Sequence, residues 1–225
     1  MKRFTLKLAV LISFYFFLSV GQVALAGPVS TVTKEELALL SNQSVPEAFE
    51  KLKDPAIFVN PDLLDSGIKS AFSGRESDAV GYAMNVLRTP RIQFIDGRKV
   101  NRSADFRVAK KIFQQFAAQA IVLLEDEYNH GAPIIRCNII QMIGAMDKEK
   151  KAREMLVVAL NDAATCEEED PQSEGLPLRV CDAAYNQLVL RYHLKDVLRG
   201  IGSSHKVEDR NYHINILKDK IKNQK

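Results

Sequence analysis

Between Ser103 and Asp162 apolar residues return at every third or fourth position, and that period admits little besides helices. Phe106, Ala109, Phe113, Phe116, Ala120 and Leu124 share one helical face. The run to Asn129 contains no Gly or Pro, so it forms either one long helix or two joined by a tight turn around Ala117–Gln119. "HGAP" (His130–Pro133) ends it, with Gly131 suited to close one helix and Pro133 to start the next. In "PIIRCNIIQMIGAMDKEKKAREMLVVALND" (Pro133–Asp162), Ile135, Ile139, Met142, Ile143 and Met146 make one stripe. Ala152, Met155, Leu156, Ala159 and Leu160 make a second, across a turn at Asp147–Lys150. The pattern predicts an αα-hairpin with both apolar faces inward.

The stretch "LPLRVCDAAYNQLVLRY" (Leu176–Tyr192) repeats that opening at an offset of 45 residues. Ile135 then matches Val180, Ile139 matches Ala184, Ile140 matches Tyr185 and Ile143 matches Leu188. Identities are nearly absent: Arg136 falls on Cys181, and Arg179 sits two residues early. A stacked helix pair demands this of its sequence, because each unit must present the same apolar faces while its exposed residues are free to change.

Upstream, capping signals follow one another closely. Thr33 with Glu36, and Ser44 with Glu47, have capping-box spacing. Asn60-Pro61 reads as an N-cap and first helical position, and Ser73 with Glu76, or Ser77 alone, opens a further helix. The exception is Thr89–Ser103, where Ile92, Phe94 and Val100 flank Asp96-Gly97. Those residues fit either a small β-hairpin near 91–100 or an ordered loop. At the other end Val207, Ile214, Leu217 and Ile221 form one stripe among lysines, as in a terminal capping helix or a helix lying on a membrane surface.

The first 26 residues have the form of a Sec-type signal. Lys2, Arg3 and Lys7 precede the apolar run Leu8–Val20, and Ala24–Ala26 supplies the small residues of a cleavage site after Ala26. An uncleaved anchor is the alternative. Cleavage predicts a periplasmic or secreted chain with no membrane contact of its own. It also changes the charge. Of 31 basic and 28 acidic residues, three basic ones lie in the signal, so the mature chain is neutral. Nothing there favours nucleic acid as a partner. Local asymmetry remains: Arg88–Lys111 carries eight basic and two acidic residues, and Cys166–Glu174 carries five acidic and none basic. Arg98, Lys99 and Arg102, with Glu167, Glu168, Glu169 and Asp170, are therefore the candidate partner surface. Of the three cysteines, Cys137 and Cys181 fall on predicted helices, where a buried thiol packs as a small hydrophobe. Cys166, in the acidic loop, is the one with freedom to reach another.

Pro133–Asp162 followed by "PLRVCDAAYNQLV" (Pro177–Val189) resembles HEAT-type (HEAT/armadillo-like) helical repeats. An apolar-Arg opening follows a Pro, a Gly stands near the end of the first helix (Gly144), and the second closes on Ala159, Leu160 and Asp162. Ala117–Pro133 is similar to the second helix of an earlier repeat. The resemblance covers Ser103–Tyr192, under half of the mature chain, and the Ala163–Gly175 loop is longer than a usual inter-repeat turn. It implies an all-α fold, a short α-solenoid of stacked helix pairs. Residues 27–102 would be divergent repeats or a cap, 103–200 the repeats and 201–225 the capping helix. It also implies that Arg136, Asp162, Arg179 and Asp182 are structural and pair between units.

Chemistry-bearing motifs are sparse. His130, His193, His205 and His213 show no HExxH spacing, and the His-Glu dipeptide used by di-iron hydroxylases of HEAT-like architecture does not occur. His193, His205, Asp209 and His213 would have to gather for a metal site; histidines on the surfaces of successive helices are the simpler expectation. There is no CxxC, GxSxG or Gly-rich phosphate loop. Glu125–Glu127 occupies consecutive helical positions, so its carboxylates point in different directions. The expectation is a non-enzymatic protein-binding or scaffolding protein without cofactor or metal. The alternative is an exported enzyme or metal protein with a dispersed site.

Overall fold

In the computed structural model the described residues are 32–89, 92–95, 98–146, 149–166, 175–191, 193–194 and 198–223. The first 26 residues, expected to be a signal, and the acidic residues Glu167–Asp170 lie outside them. The chain is mostly helical, and the described elements run as follows. Helix α1 (Lys34–Ala38) continues into a 3-10 turn (Leu39–Asn42), followed by α2 (Val45–Leu52), α3 (Pro55–Phe58), α4 (Pro61–Phe72) and α5 (Glu76–Leu87). A hairpin of β1 (Ile92–Ile95) and β2 (Arg98–Asn101) comes next. Then come α6 (Ser103–Gln115), α7 (Ala117–His130), α8 (Pro133–Ile143), α9 (Lys150–Ala159), α10 (Val180–Arg191) and α11 (Val207–Lys222). All belong to one compact unit, Lys34–Lys225.

The caps explain where the short helices begin. Ser44 Oγ accepts the Glu47 N–H at 3.4 Å while Glu47 Oε2 accepts the Ser44 N–H at 3.0 Å, so two orphan donors at the start of α2 are satisfied reciprocally. Asn60 Oδ1 accepts the N–H groups of Asp62 and Leu63 at the start of α4. Helix α5 differs from expectation, because neither Ser73 nor Ser77 caps it. Its N-cap is Arg75, without a side-chain hydrogen bond. Gly74 turns the chain at φ 77°, a left-handed conformation that costs glycine little, and Ser73 is thereby left closing α4. Glu76 Oε1 accepts the Gly74 N–H at 2.9 Å instead.

Of the two readings of Thr89–Ser103 the hairpin is present, with Ile92 opposite Asn101 and Ile95 opposite Arg98. The long Ser103–Asn129 run is two helices that break at Phe116, one residue before the expected turn, where φ −113° and ψ 44° leave helical geometry.

Packing follows the apolar stripes. Ile139, Met142, Ile143 and Met146 are buried, as are Ala152, Met155, Leu156, Ala159 and Leu160. Ile135 is half-exposed where Val180, its counterpart in the echo, is fully buried. The helices make two successions. Helix α4 packs on α6, α6 on α8, and α8 on α10; helix α2 packs on α5, α5 on α7, and α7 on α9. The two successions are laced together by α2 on α4, α5 on α6, α7 on α8 and α9 on α10. Helix α11 packs on α10 and buries Ile214, Leu217 and Ile221. Gly67 marks a close approach: a Cβ there would lie 2.8 Å from Leu52 Cδ2, so α4 sits on α2 at a distance only glycine allows without repacking.

Candidate functional site

The chemistry-bearing side chains of the C-terminal half converge where α8 and α10 begin. Asp162, just past α9, accepts Arg136 Nε at 2.8 Å and Nη2 at 3.3 Å, a two-pronged pairing that fixes both planes. The Tyr128 hydroxyl donates to the same carboxylate at 3.2 Å, and the Asp162 carbonyl accepts the Cys181 N–H at 2.9 Å. One residue thus joins the end of α7, the start of α8 and the start of α10.

At the start of α10, Asp182 accepts the Arg179 backbone N–H at 3.0 Å and Arg179 Nη2 at 2.8 Å. It also accepts Arg210 Nη1 from α11 at 3.0 Å. Asp182 and Arg210 are both 0% exposed. A buried carboxylate would ordinarily titrate high. Here burial is the largest effect and acts upward, but the Arg179 side chain and N–H, then Arg210, outweigh it and hold Asp182 below its ordinary value.

The four residues expected to pair between units are joined instead as Arg136–Asp162 and Arg179–Asp182. The first pairs the start of α8 with the end of α9, and the second closes on a single helix start. Contacts onward to neighbouring helices come from Tyr128 and Arg210, which no spacing singles out. Arg210, inside the polar stretch "VEDRNYH", is enclosed by Asp182 of α10 and by the carbonyls of Leu176, Pro177, Ser203 and His205.

The Cys137–Cys166 disulfide lies beside this junction, with Cα atoms 5.6 Å apart. Cys137 is therefore not the free core thiol its helical position suggests; Cys166 reaches it. Cys181 is free and buried. Its thiol is pushed up to about 11, by burial first and by the Asp182 carboxylate second, so it stays protonated and unreactive at neutral pH. Residues 162–166 and 178–181 run antiparallel, through Cys166 N–H to Leu178 O at 2.7 Å and Val180 N–H to Ala164 O at 2.9 Å. The long loop thus starts and ends at a bridged neck.

Of the candidate partner surface, Arg98 and Lys99 fall on β2, and their side chains lie outside the described residues, as do Glu167, Glu168, Glu169 and Asp170. Arg102 turns inward: its Nε donates to Asp105 at 2.8 Å, it also donates to Thr89 Oγ1, and Lys53 meets Asp105 at 2.7 Å. Other cations of the basic segment are engaged too. Arg88 pairs with Glu127, Lys111 pairs with Asp65, and Arg107 lies over the Phe58 ring at 4.4 Å.

The Glu125–Glu127 cluster diverges as consecutive helical positions must, and two of its members bridge helices. Glu127 reaches back to Arg88 at the end of α5, and Glu125 reaches forward to Lys151 of α9 at 2.7 Å. Lys218 of α11 donates to Asn161 at 2.8 Å. Among the described residues no group of three His, Cys, Asp or Glu side chains is placed to share a metal ion. No described helix is long and apolar enough to cross a membrane. No family model, curated protein or solved structure matches the chain.

Proposed function

We propose that this chain is a HEAT-type helical-repeat protein, a short α-solenoid that binds a protein segment and carries out no chemistry of its own, exported through its N-terminal signal. The observation that carries this is the double succession of helices, α4–α6–α8–α10 beside α2–α5–α7–α9. Contacts to the next helix and the next but one are what stacked helix pairs make. Helix α11 fits the role of an end cap, since Glu208, Asp209, Asn211, Tyr212, Asn215 and Asp219 are exposed on it. The Cys137–Cys166 disulfide supports an oxidising compartment, where such bonds persist.

The binding surface in this proposal is the exposed side of the second helices. On α7 it presents Gln119, Val122 and Asp126, and on α9 Glu154 and Val158. Val122 is 66% and Val158 62% exposed, unusual for valines on helices whose other faces are so fully packed. The test is site-specific photocrosslinking of the mature chain in the exported fraction, with the probe at Val122 or Val158 and control probes at the exposed Asp62 and Arg107 of the first helices. The expected result is a discrete protein adduct from the second-helix positions only. Equal or absent adducts at all four positions would overturn the binding surface.

A further inference from the structure

Helix α5 carries a glycine in its interior that its own packing does not require. Glycine is, after proline, the poorest residue for such a position, because it has the most backbone freedom to lose. At Gly67 that cost has a return, since a Cβ there would press on Leu52 and Leu37. At Gly81 a Cβ would meet nothing within 4 Å, and the backbone is ordinary α-helix. The missing side chain leaves open space there, not room for a neighbour within the fold.

Helical spacing locates that space. Arg88, the C-cap residue of α5, stands two turns beyond Gly81 and so on nearly the same side of the helix. It pairs with Glu127 in the last turn of α7. Leu123, one turn before Glu127, shares that side of α7. The ion pair thus turns Gly81 and Leu123 toward one furrow, between two helices that pack on each other. Leu123 is 44% exposed, and Val122 beside it is more exposed still. An apolar wall next to a missing side chain has the form of a hole that accepts a partner's knob.

Charge specifies the partner. Helices α5 and α7 bear Glu76, Asp78, Glu125, Asp126 and Glu127, and neither Lys nor Arg. Glu125 and Glu127 are neutralised by Lys151 and Arg88. Two exposed carboxylates beside the furrow are not. Asp78, one turn before Gly81, forms no ion pair among the described residues, and Asp126, one turn beyond Val122, meets only the His130 imidazole at 3.5 Å. We propose that the furrow between α5 and α7 at Gly81 seats an apolar side chain of a partner segment whose neighbouring Lys or Arg residues meet Asp78 and Asp126. This rests on the protein-binding reading above and gives it an anchor point and a partner chemistry. Gly81 exchanges helix stability for a hole, so filling the hole moves stability and binding in opposite directions.

Fluorescence anisotropy with the full mature chain tests it, using a labelled amphipathic peptide of Leu and Lys as probe and its Leu and Glu counterpart as control. The Leu–Lys peptide should bind, less tightly as salt rises, and the Leu–Glu peptide should not. Gly81→Gln fills the hole with a good helix former. It should raise the melting temperature by about 2–4 °C yet weaken binding by about tenfold, a typical loss for a displaced anchor. Undiminished affinity in Gly81→Gln, equal binding of both peptides, or no binding of the Leu–Lys peptide would each overturn the proposal. If Gly81→Gln does not fold, Leu123→Gln, at an exposed position, decides on the same readings. Photocrosslinking at Val122 separates this inference from the broader one. An adduct that survives Gly81→Gln leaves the binding surface standing and sinks the furrow, whereas an adduct that Gly81→Gln abolishes supports both.

Discussion

Arg210 places all five of its N–H donors inside the protein, on the Asp182 carboxylate and on the carbonyls of Leu176, Pro177, Ser203 and His205. A guanidinium is tolerated at zero exposure only when so fully paired. Replacing it with Met should lower unfolding free energy by about 3–5 kcal/mol, the usual cost of breaking a buried pair, as measured by urea denaturation. Arg210→Lys should fail to restore it, because a point charge cannot span the fork. Asp182 adds a pH signature. Its carboxyl is held below the ordinary value of 3.8, so its stabilisation is complete above that pH and is lost as the pH falls through the lower folded-state value. The acid limb of the wild-type stability curve below about pH 4 should therefore flatten in Asp182→Asn. An unaltered limb would show that other carboxylates govern acid unfolding.

At the scale of elements, the neck formed by 162–166 and 178–181 is tied to α8 by a disulfide that closes a 29-residue interval. A loop of that length corresponds to about 3–4 kcal/mol in the chain-entropy account. Cys137→Ser with Cys166→Ser should destabilise the protein by up to that amount, measured by thermal or denaturant unfolding under non-reducing conditions. Thiol labelling gives an independent check. Cys181 should label only after unfolding, because it is buried and protonated, and mass mapping should find Cys137 and Cys166 joined. Rapid labelling of Cys181 in the native protein would contradict its placement.

For the whole molecule, the packing of α11 on α10 is the contact to test. Ending the chain before Val207 removes the cover from α10 and takes Arg210 away from Asp182. Uncovering α10 exposes an apolar face to solvent. The truncated protein should self-associate or precipitate, read by size-exclusion chromatography. Val122→Asp with Val158→Asp should instead leave stability within about 0.5 kcal/mol, since these side chains are solvated. Helix existence was legible from three- and four-residue spacing, as in Ala152–Leu160, and the Ser44 and Asn60 caps were legible from side chains that satisfy their own backbone. The α5 start was misread because Gly74, and not a serine, sets that turn.

What the residues determined unaided is local: where apolar faces recur and where helices such as α2 and α4 are capped. Local periodicity and backbone satisfaction operate within a few residues, so a one-dimensional pattern contains them. Only the tertiary structure decided which cations are engaged. Arg102 and Arg88, read as part of a basic segment, meet Asp105 and Glu127, and Arg210, which the sequence does not single out, is buried against Asp182. Cys166 found Cys137 for the same reason. A charge or a thiol has its role set by what approaches it through space, and that is fixed when helices far apart in sequence pack together.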